Sequence, residues 1–132
     1  MSITKTFLRA IKNNIGKVLY MTYLEVTHNT IISPDGRITM KEKQIENKLT
    51  IEVKKVGGIA VKLVSPCFAG MPDRLVLLPD GVCAFVELKA KGKKPRPIQL
   101  ARHRLLKSLG FKVYVIDDVE QIGGVLDQIR AT

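Results

Sequence analysis

The fold is decided by residues 71–89, which read MPDRLVLLPDGVCAFVELK. Two apolar runs, 75–78 and 82–86, lie on either side of the sequence Pro79-Asp80-Gly81. Short apolar runs around a turn of proline, aspartate and glycine are typical of a β-hairpin. The stretch therefore predicts two antiparallel strands whose outer ends lie beside each other.

Three chemically useful side chains, Asp73, Glu87 and Lys89, lie at the outer ends of these strands. Because side chains alternate between the faces of a strand, Glu87 and Lys89 point the same way. Asp73 lies beside Glu87 if the first strand begins near Arg74. Two close carboxylates repel each other unless a positive group lies between them. Mg²⁺ prefers oxygen ligands and is often held by one or two carboxylates, so the pattern indicates a metal site suited to phosphodiester chemistry.

Lys89 and the backbone of Leu88 add to this predicted site. The Lys89 ammonium can orient an attacking water or neutralise charge in the transition state. The Leu88 carbonyl is available as a metal ligand because its side chain faces the other side of the strand. A simpler interpretation is that Glu87 and Lys89 form a cross-strand ion pair and Asp73 is a turn residue. Against it, Glu87 ends a strand apolar enough to be buried, where an unpaired charge is costly.

The charge of the chain indicates an anionic partner. Its 132 residues carry a formal net charge of +10, and nucleic acid is the leading candidate. The segment from Lys89 to Lys112 contains nine basic residues and no acidic one. A basic face that serves only solubility is the alternative interpretation. The residues predicted to hold DNA phosphates without reading sequence are Lys91, Lys93, Lys94, Arg96, Arg102, Arg104 and Lys107.

Composition excludes several other classes of protein. Hydrophobic residues make up 45% of the chain, which argues against disorder. No apolar run reaches the roughly 18 residues needed to span a bilayer, and the N-terminus lacks a secretion signal. The two cysteines, Cys67 and Cys83, make neither a disulfide framework nor a zinc site. We expect a reducing, cytoplasmic setting and no membrane partner.

Outward from the hairpin, the pattern predicts an α/β domain. Pro97 suits the first turn of a helix, and Asp118 is predicted to cap the last helix, with an interruption at Gly123-Gly124. The order is helix, three strands, helix, strand, helix. Helices are predicted over 41–56, 97–109 and 118–129, and the strands outside the hairpin over 59–64 and 111–116.

Residues 1–39 form a separate piece whose role the sequence does not indicate. Helical spacing is found over 3–14, and a β-rich run over 17–32 precedes a turn at 33–36 and the start of a return strand. We expect an N-terminal helix and strand appendage over 1–39 and a functional domain over 40–132, with Met40 as a possible internal start.

The chemistry-bearing residues resemble the VRR-NUC domain, a branch of the PD-(D/E)XK nuclease superfamily. The resemblance covers about residues 41–116, and its specific part runs from Gly70 to Gln99. It implies a restriction-endonuclease-like core, α-β-β-β-α-β, with a mixed central sheet flanked by helices. The matching residues are Glu46, Gly57-Gly58, Gly70-Met71-Pro72-Asp73, Glu87-Leu88-Lys89 and Gln99.

The resemblance also implies roles for these residues. Asp73 and Glu87 are expected to be the metal ligands, and Lys89 is expected to be the catalytic lysine. Glu46, on the first helix, is expected to assist metal or water binding. Gln99 is expected to support the site or touch the substrate.

Alternatives remain open for three residues near this set. Glu42, one turn before Glu46, would replace it if the register were shifted by a turn. Gln99 could instead serve only the start of its helix. His103, one turn after Gln99, is expected to be a surface or phosphate-contacting residue rather than a general base.

The activity implied by the resemblance is that of a Mg²⁺- or Mn²⁺-dependent DNA endonuclease of the stand-alone phage or bacterial type. It would cut branched DNA such as junctions or flaps, in the cytoplasm of a bacterial cell or a phage-infected host. A homodimer is expected, because two sites related by a two-fold axis can cut two symmetric strands. The alternatives are a non-catalytic basic DNA-binding module and, less well supported, a restriction-system subunit, for which no obvious recognition domain is present.

Overall fold

The computed structural model describes residues 30–32 and 38–131, in a chain that divides into two compact units, Met1–Thr39 and Met40–Thr132. Strands β1 (Thr30–Ile32) and β2 (Ile38–Met40) form a two-stranded sheet. The helix predicted over 3–14 and the turn predicted over 33–36 lie outside the described residues.

The second unit follows the predicted order of elements. Helix α1 (Glu42–Lys55) precedes strands β3 (Ile59–Lys62), β4 (Arg74–Leu77) and β5 (Cys83–Leu88). Helix α2 (Pro97–Ser108), strand β6 (Val113–Ile116) and helix α3 (Gln121–Arg130) complete it. No helix in the described part of the chain combines the length and apolar character needed to cross a bilayer.

The central sheet is mixed, with the strand order β3-β4-β5-β6. Strands β3, β4 and β5 are antiparallel neighbours, whereas β5 and β6 run parallel. A 3₁₀ turn at Pro79–Gly81 joins β4 to β5, which confirms the hairpin. Arg74 pairs with Val86, so residue 73 lies next to residue 87 at the end of the hairpin.

One face of the sheet packs in the apolar core with α1 and α3. The α1 residues Ile45, Leu49 and Val53 recur every four positions, and each is 0% exposed. The sheet contributes alternate residues to the same core, because side chains two apart on a strand share a face. The strand residues in this core are Val76, Ala84, Val86, Leu88 and Ile116.

The predicted interruption of the last helix is wrong. Helix α3 runs through Gly123 and Gly124 without a break, and it begins at Gln121, three residues after the predicted cap Asp118. Asp118 instead accepts a hydrogen bond from the backbone N–H of Glu120 at 3.0 Å. Two glycines cost a helix only about 1 kcal/mol each, and the buried apolar face outweighs that cost. This face consists of Ile122, Val125, Leu126 and Ile129.

Candidate active site

Asp73 is fixed against the end of β5. Its Oδ2 accepts a hydrogen bond from the backbone N–H of Leu88 at 2.8 Å. Its own carbonyl accepts from the N–H of Leu63 at 2.8 Å, which continues the pairing of β3 with β4. The carboxylate is therefore held at the outer end of the hairpin, where the sequence predicts it.

Glu87 lies inside the protein, with 0% of the residue exposed. Its Oε1 accepts a hydrogen bond from Gln99 Nε2 at 2.7 Å and lies 3.1 Å from Lys89 Nζ. Its Oε2 is buried and has no hydrogen-bond partner. A buried carboxylate oxygen without a partner is costly. This arrangement confirms that Glu87 and Lys89 point the same way, and it leaves one oxygen of Glu87 available to a ligand.

The electrostatic environment opposes a charge on Glu87. Burial, followed by the nearby Asp73 carboxylate, raises the pKa of Glu87 to about 7, although the Lys89 ammonium acts to lower it. A cation between the two carboxylates would offset both causes of the shift. A positive ion bound there would therefore favour release of the Glu87 proton.

Gln99 links the start of α2 to Glu87. Its Oε1 accepts from the backbone N–H of Arg96 at 2.8 Å, and its Nε2 donates to Glu87. The side chain is 5% exposed. The Gln99 side chain therefore has two roles: it stabilises the first turn of the helix, and it orients a buried carboxylate.

His103 is buried, so the expectation of a surface residue is wrong. It is 5% exposed, and its Nε2 lies 3.7 Å from Glu87 Oε2 without a hydrogen-bond partner. Burial, aided by Lys107 and Lys89, lowers the pKa of His103, which favours a neutral ring. The signal for this position is its spacing, because a residue four after Gln99 lies on the same helical face.

Glu46 is ion-paired with Arg74, a partner that the sequence did not indicate. The Arg74 guanidinium also donates to the carbonyl of Ala60 at 3.0 Å, and Lys43 Nζ lies 3.4 Å from Glu46 Oε1. Partial burial acts to raise the pKa of Glu46, but Arg74 outweighs it and the pKa is lowered. Within the described residues, no contact of Glu46 reaches Asp73 or Glu87. Glu42, the alternative to Glu46, is exposed.

The position of Arg74 explains this separation. Arg74 pairs with Val86, whose side chain lies in the apolar core beside α1. Glu87 follows Val86 on the strand and faces the other way, toward α2. The Glu46–Arg74 pair and the Glu87 carboxylate therefore lie on opposite faces of the sheet.

The residues predicted to bind phosphates fall into two groups. Lys91 Nζ lies 2.5 Å from Asp118 Oδ2, and Arg102 Nε donates to the carbonyl of Ala69 at 2.8 Å. These two side chains thus have intramolecular roles. The other five residues are exposed and lie just before α2 or on its outer face: Lys93, Lys94, Arg96, Arg104 and Lys107.

The donor atoms at the hairpin end fit a hard divalent cation. The described residues contain no group of three or more His, Cys, Asp or Glu side chains that could hold a metal. A cation here would depend on the Asp73 and Glu87 carboxylates, the Leu88 carbonyl and water or substrate oxygens. Mg²⁺ is commonly bound in this way, by one or two carboxylates together with water and phosphate. The unpartnered Oε2 of Glu87 is the observation that supports the fit.

The chain is similar in sequence to a phage protein and in structure to a solved domain. No family model matches it. It is 54% identical over 91 residues to a protein of Acyrthosiphon pisum secondary endosymbiont phage 1 named "Putative nuclease p44", with 69% of this chain and 97% of that protein covered. A solved structure described as a VRR_NUC domain matches with a TM-score of 0.62 and 32% identity, covering 65% of this chain and 94% of that one.

Proposed function

Since this chain belongs to the VRR-NUC family of nucleases, we propose that it is a metal-dependent DNA endonuclease that prefers branched DNA. The observation that carries the proposal is the buried Glu87 carboxylate, which has one oxygen without a hydrogen bond and lies beside Asp73. A protein that needed these groups only for stability would gain from replacing them with apolar residues. Their placement at the open end of a hairpin suits an ion that bridges protein and phosphate.

The proposed ligands of Mg²⁺ or Mn²⁺ are the carboxylates of Asp73 and Glu87 and the carbonyl of Leu88. A divalent cation bound there would supply charge stabilisation to the scissile phosphate and would lower the pKa of a coordinated water. Glu46 has a proposed indirect role, through water at most, because Arg74 already binds its carboxylate.

Lys89 is the proposed catalytic lysine. Its ammonium lies 3.1 Å from Glu87 Oε1 and is mostly buried, so it is held in place before substrate binds. In an in-line attack, water would lose a proton and form a bond to phosphorus while the bond to the 3′ oxygen breaks, and the leaving oxygen would take up a proton, which leaves a 5′-phosphate and a 3′-hydroxyl. Lys89 can orient the water or donate to a phosphate oxygen as negative charge develops. Gln99 and His103 act as positioning residues, since both face Glu87.

DNA is the proposed partner, and the exposed basic residues around α2 would hold its phosphates. The net charge of +10 and the acid-free segment after Lys89 favour binding without sequence readout. Binding to phosphates releases counterions from the DNA, so the affinity falls as the salt concentration rises. We also propose a homodimer, which would place two cutting sites on the two strands of a symmetric branch.

Cleavage of a panel of DNA structures tests this proposal. Wild type and the variants Asp73→Asn, Glu87→Gln and Lys89→Met are incubated with a four-way junction, a 5′ flap, plain duplex and single strand, with Mg²⁺ or EDTA. We expect wild type to cut branched DNA only with metal, and the three variants to bind but not cut. Glu120→Gln, at an exposed glutamate outside the site, is the matched control and should cut normally.

Two results would count against the proposal. Full activity in all three variants would exclude the hairpin site. Binding by wild type without any cleavage in Mg²⁺ or Mn²⁺ would favour the non-catalytic DNA-binding module.

A further inference from the structure

The loop that leads into Asp73 carries an exposed aromatic ring. Phe68 is 42% exposed and lies between β3 and β4, five residues before Asp73. The other exposed phenylalanine of the described chain, Phe111, packs edge-on against Phe85 with ring centroids 5.8 Å apart. Phe68 has no such aromatic neighbour among the described residues.

A cation fixes the orientation of the Phe68 ring. The Arg102 guanidinium lies 3.8 Å from the ring centroid, a cation–π distance. The same guanidinium donates from Nε to the carbonyl of Ala69 at 2.8 Å. Arg102 therefore covers one face of the ring and binds the adjacent backbone, which leaves the opposite face as the exposed one.

The loop itself is packed tightly on α2. Gly70 has a φ of +88°, and a Cβ at this position would lie 2.8 Å from the carbonyl oxygen of Ile98 and 3.0 Å from Arg102 Cγ. The N–H of Phe68 also donates to the carbonyl of Ser65 at 3.3 Å. Only a glycine allows the loop to lie this close to the helix, so the aromatic ring is held at a defined place.

Helix α2 connects this ring to the candidate metal site. Gln99, which binds Glu87, and Arg102, which stacks on Phe68, are three residues apart and therefore neighbours on one helical face. The backbone positions of Gln99 and Arg102 are thus separated by less than one helical turn, roughly 4.5 Å along the axis. Exposed Lys93, Lys94 and Arg96 lie at the start of the same helix.

We propose that the Phe68–Arg102 pair is a stacking platform for one unpaired nucleobase next to the scissile phosphate. An aromatic face beside a basic surface is the common arrangement for binding single-stranded nucleic acid. Inside a duplex both faces of each base are covered by neighbouring bases, so only a base at a flap, gap or branch point can use the platform. This inference rests on the proposed DNA nuclease function and deepens it, because it supplies a physical reason for a preference for branched DNA.

A binding measurement tests the platform without cleavage. Metal-free protein in EDTA is titrated into single-stranded oligonucleotides that carry one 2-aminopurine, whose fluorescence falls when the base stacks. We expect quenching with wild type, and with Phe68→Leu a loss of quenching and about tenfold weaker binding. Phe68→Tyr should restore both. Val64→Ala, which removes a more exposed apolar side chain just before the loop, is the matched control and should match wild type.

A second arm compares cleavage of a 5′ flap with cleavage of plain duplex in Mg²⁺. We expect the ratio of the two rates to fall about tenfold in Phe68→Leu and to recover in Phe68→Tyr. If Phe68→Leu quenches the fluorescence as strongly as wild type and cuts flap and duplex in the wild-type ratio, the platform is overturned. The nuclease proposal stays intact in that case. If wild type cuts no DNA, the nuclease proposal fails, and the fluorescence arm alone decides whether the platform binds a base.

Discussion

Three consecutive residues of β5 are equally buried but have opposite surroundings. Val86 and Leu88 are 0% and 1% exposed and lie in the apolar core with α1 and α3. Glu87, between them, is 0% exposed and faces α2, where Gln99 and Lys89 hold one of its oxygens and the other has no hydrogen bond. Because side chains alternate along β5, the apolar core and the candidate site lie on opposite faces of the same strand.

The two faces of the sheet differ in what burial does to the free energy of folding. On the α1 and α3 face, burial of apolar side chains contributes about 25 cal/mol per Å². On the α2 face, burial of an unpaired carboxylate oxygen is unfavourable. Substitutions on the first face should therefore change stability, and substitutions on the second should change activity. The predictions below test that division.

The largest expected effect is that of Glu87→Gln on cleavage. The amide keeps an acceptor for Gln99 but removes the charge, so the cleavage rate should fall on the order of 10⁴-fold. The unfolding free energy of the metal-free protein should stay the same or rise, because burial and Asp73 disfavour the charge of Glu87 even with Lys89 beside it. Rates in Mg²⁺ and urea unfolding in EDTA provide the two readouts. Glu120→Gln, at an exposed glutamate, controls for charge, and a destabilised Glu87→Gln that still cuts would contradict the division.

Leu49→Ala should show the reverse pattern. Leu49 is 0% exposed in the core, and its truncation should lower the unfolding free energy by about 2–5 kcal/mol. Cleavage measured well below the melting temperature should change little. Urea unfolding and initial cleavage rates at low temperature test this expectation. An unchanged unfolding free energy together with lost cleavage would mean that the two faces are not separate.

The pH dependence of stability should report the charge of Glu87. Burial raises the pKa of Glu87 from its ordinary value of 4.5 to about 7 in the folded protein. A raised folded pKa gives stability that is complete below the unfolded pKa and lost as pH rises through the folded value. The unfolding free energy of metal-free Glu87→Gln, relative to that of wild type, should therefore rise by about 2–3 kcal/mol as the pH is raised from 5 to 8.

Urea unfolding of both proteins in EDTA measures this difference. His103 is present in both and opposes the trend, because its lowered pKa favours folding at higher pH. A constant difference between the two proteins across this range would show that Glu87 is already charged at pH 5.

The smallest expected effect is that of Gln99→Ala. Loss of its hydrogen bond to Glu87 should weaken metal binding or cleavage about 10- to 100-fold, as for other groups that orient a metal ligand. Loss of its bond to the Arg96 N–H should also lower stability by about 1 kcal/mol. Gln128→Ala, at an exposed glutamine of α3, controls for the substitution. Unchanged cleavage with lowered stability would reduce Gln99 to a helix cap.

Local patterns were sufficient to predict the hairpin and its carboxylates. The turn at Pro79–Gly81 and the two apolar runs set the pairing that brings Asp73 beside Glu87. The continuity of α3 could not be read from Gly123-Gly124, because burial of the helix face outweighs the low helical propensity of glycine. In that case tertiary packing overrides the local signal.

The surroundings of His103 and Glu46 depended on packing between elements. Helical spacing places His103 on the face of Gln99, but only the docking of α2 on β5 shows that this face is buried. Glu46 matches an acid expected near the metal. Its carboxylate is instead bound by Arg74, which is adjacent to Asp73 but points to the other face of the sheet. The residue types indicated which side chains carry chemistry, whereas the groups that they contact could be identified only from the assembled sheet.

The central claim is that Asp73 and Glu87 form a divalent cation site, and calorimetric titration of metal-free protein with Mn²⁺ tests it most directly. At pH 7, wild type should bind Mn²⁺ saturably and release protons, because the raised pKa of Glu87 leaves part of that carboxyl protonated. Asp73→Asn and Glu87→Gln should each abolish that binding while the fold, measured by circular dichroism, stays intact. Wild-type protein that fails to bind Mn²⁺, or variants that bind it with wild-type affinity, would contradict the account.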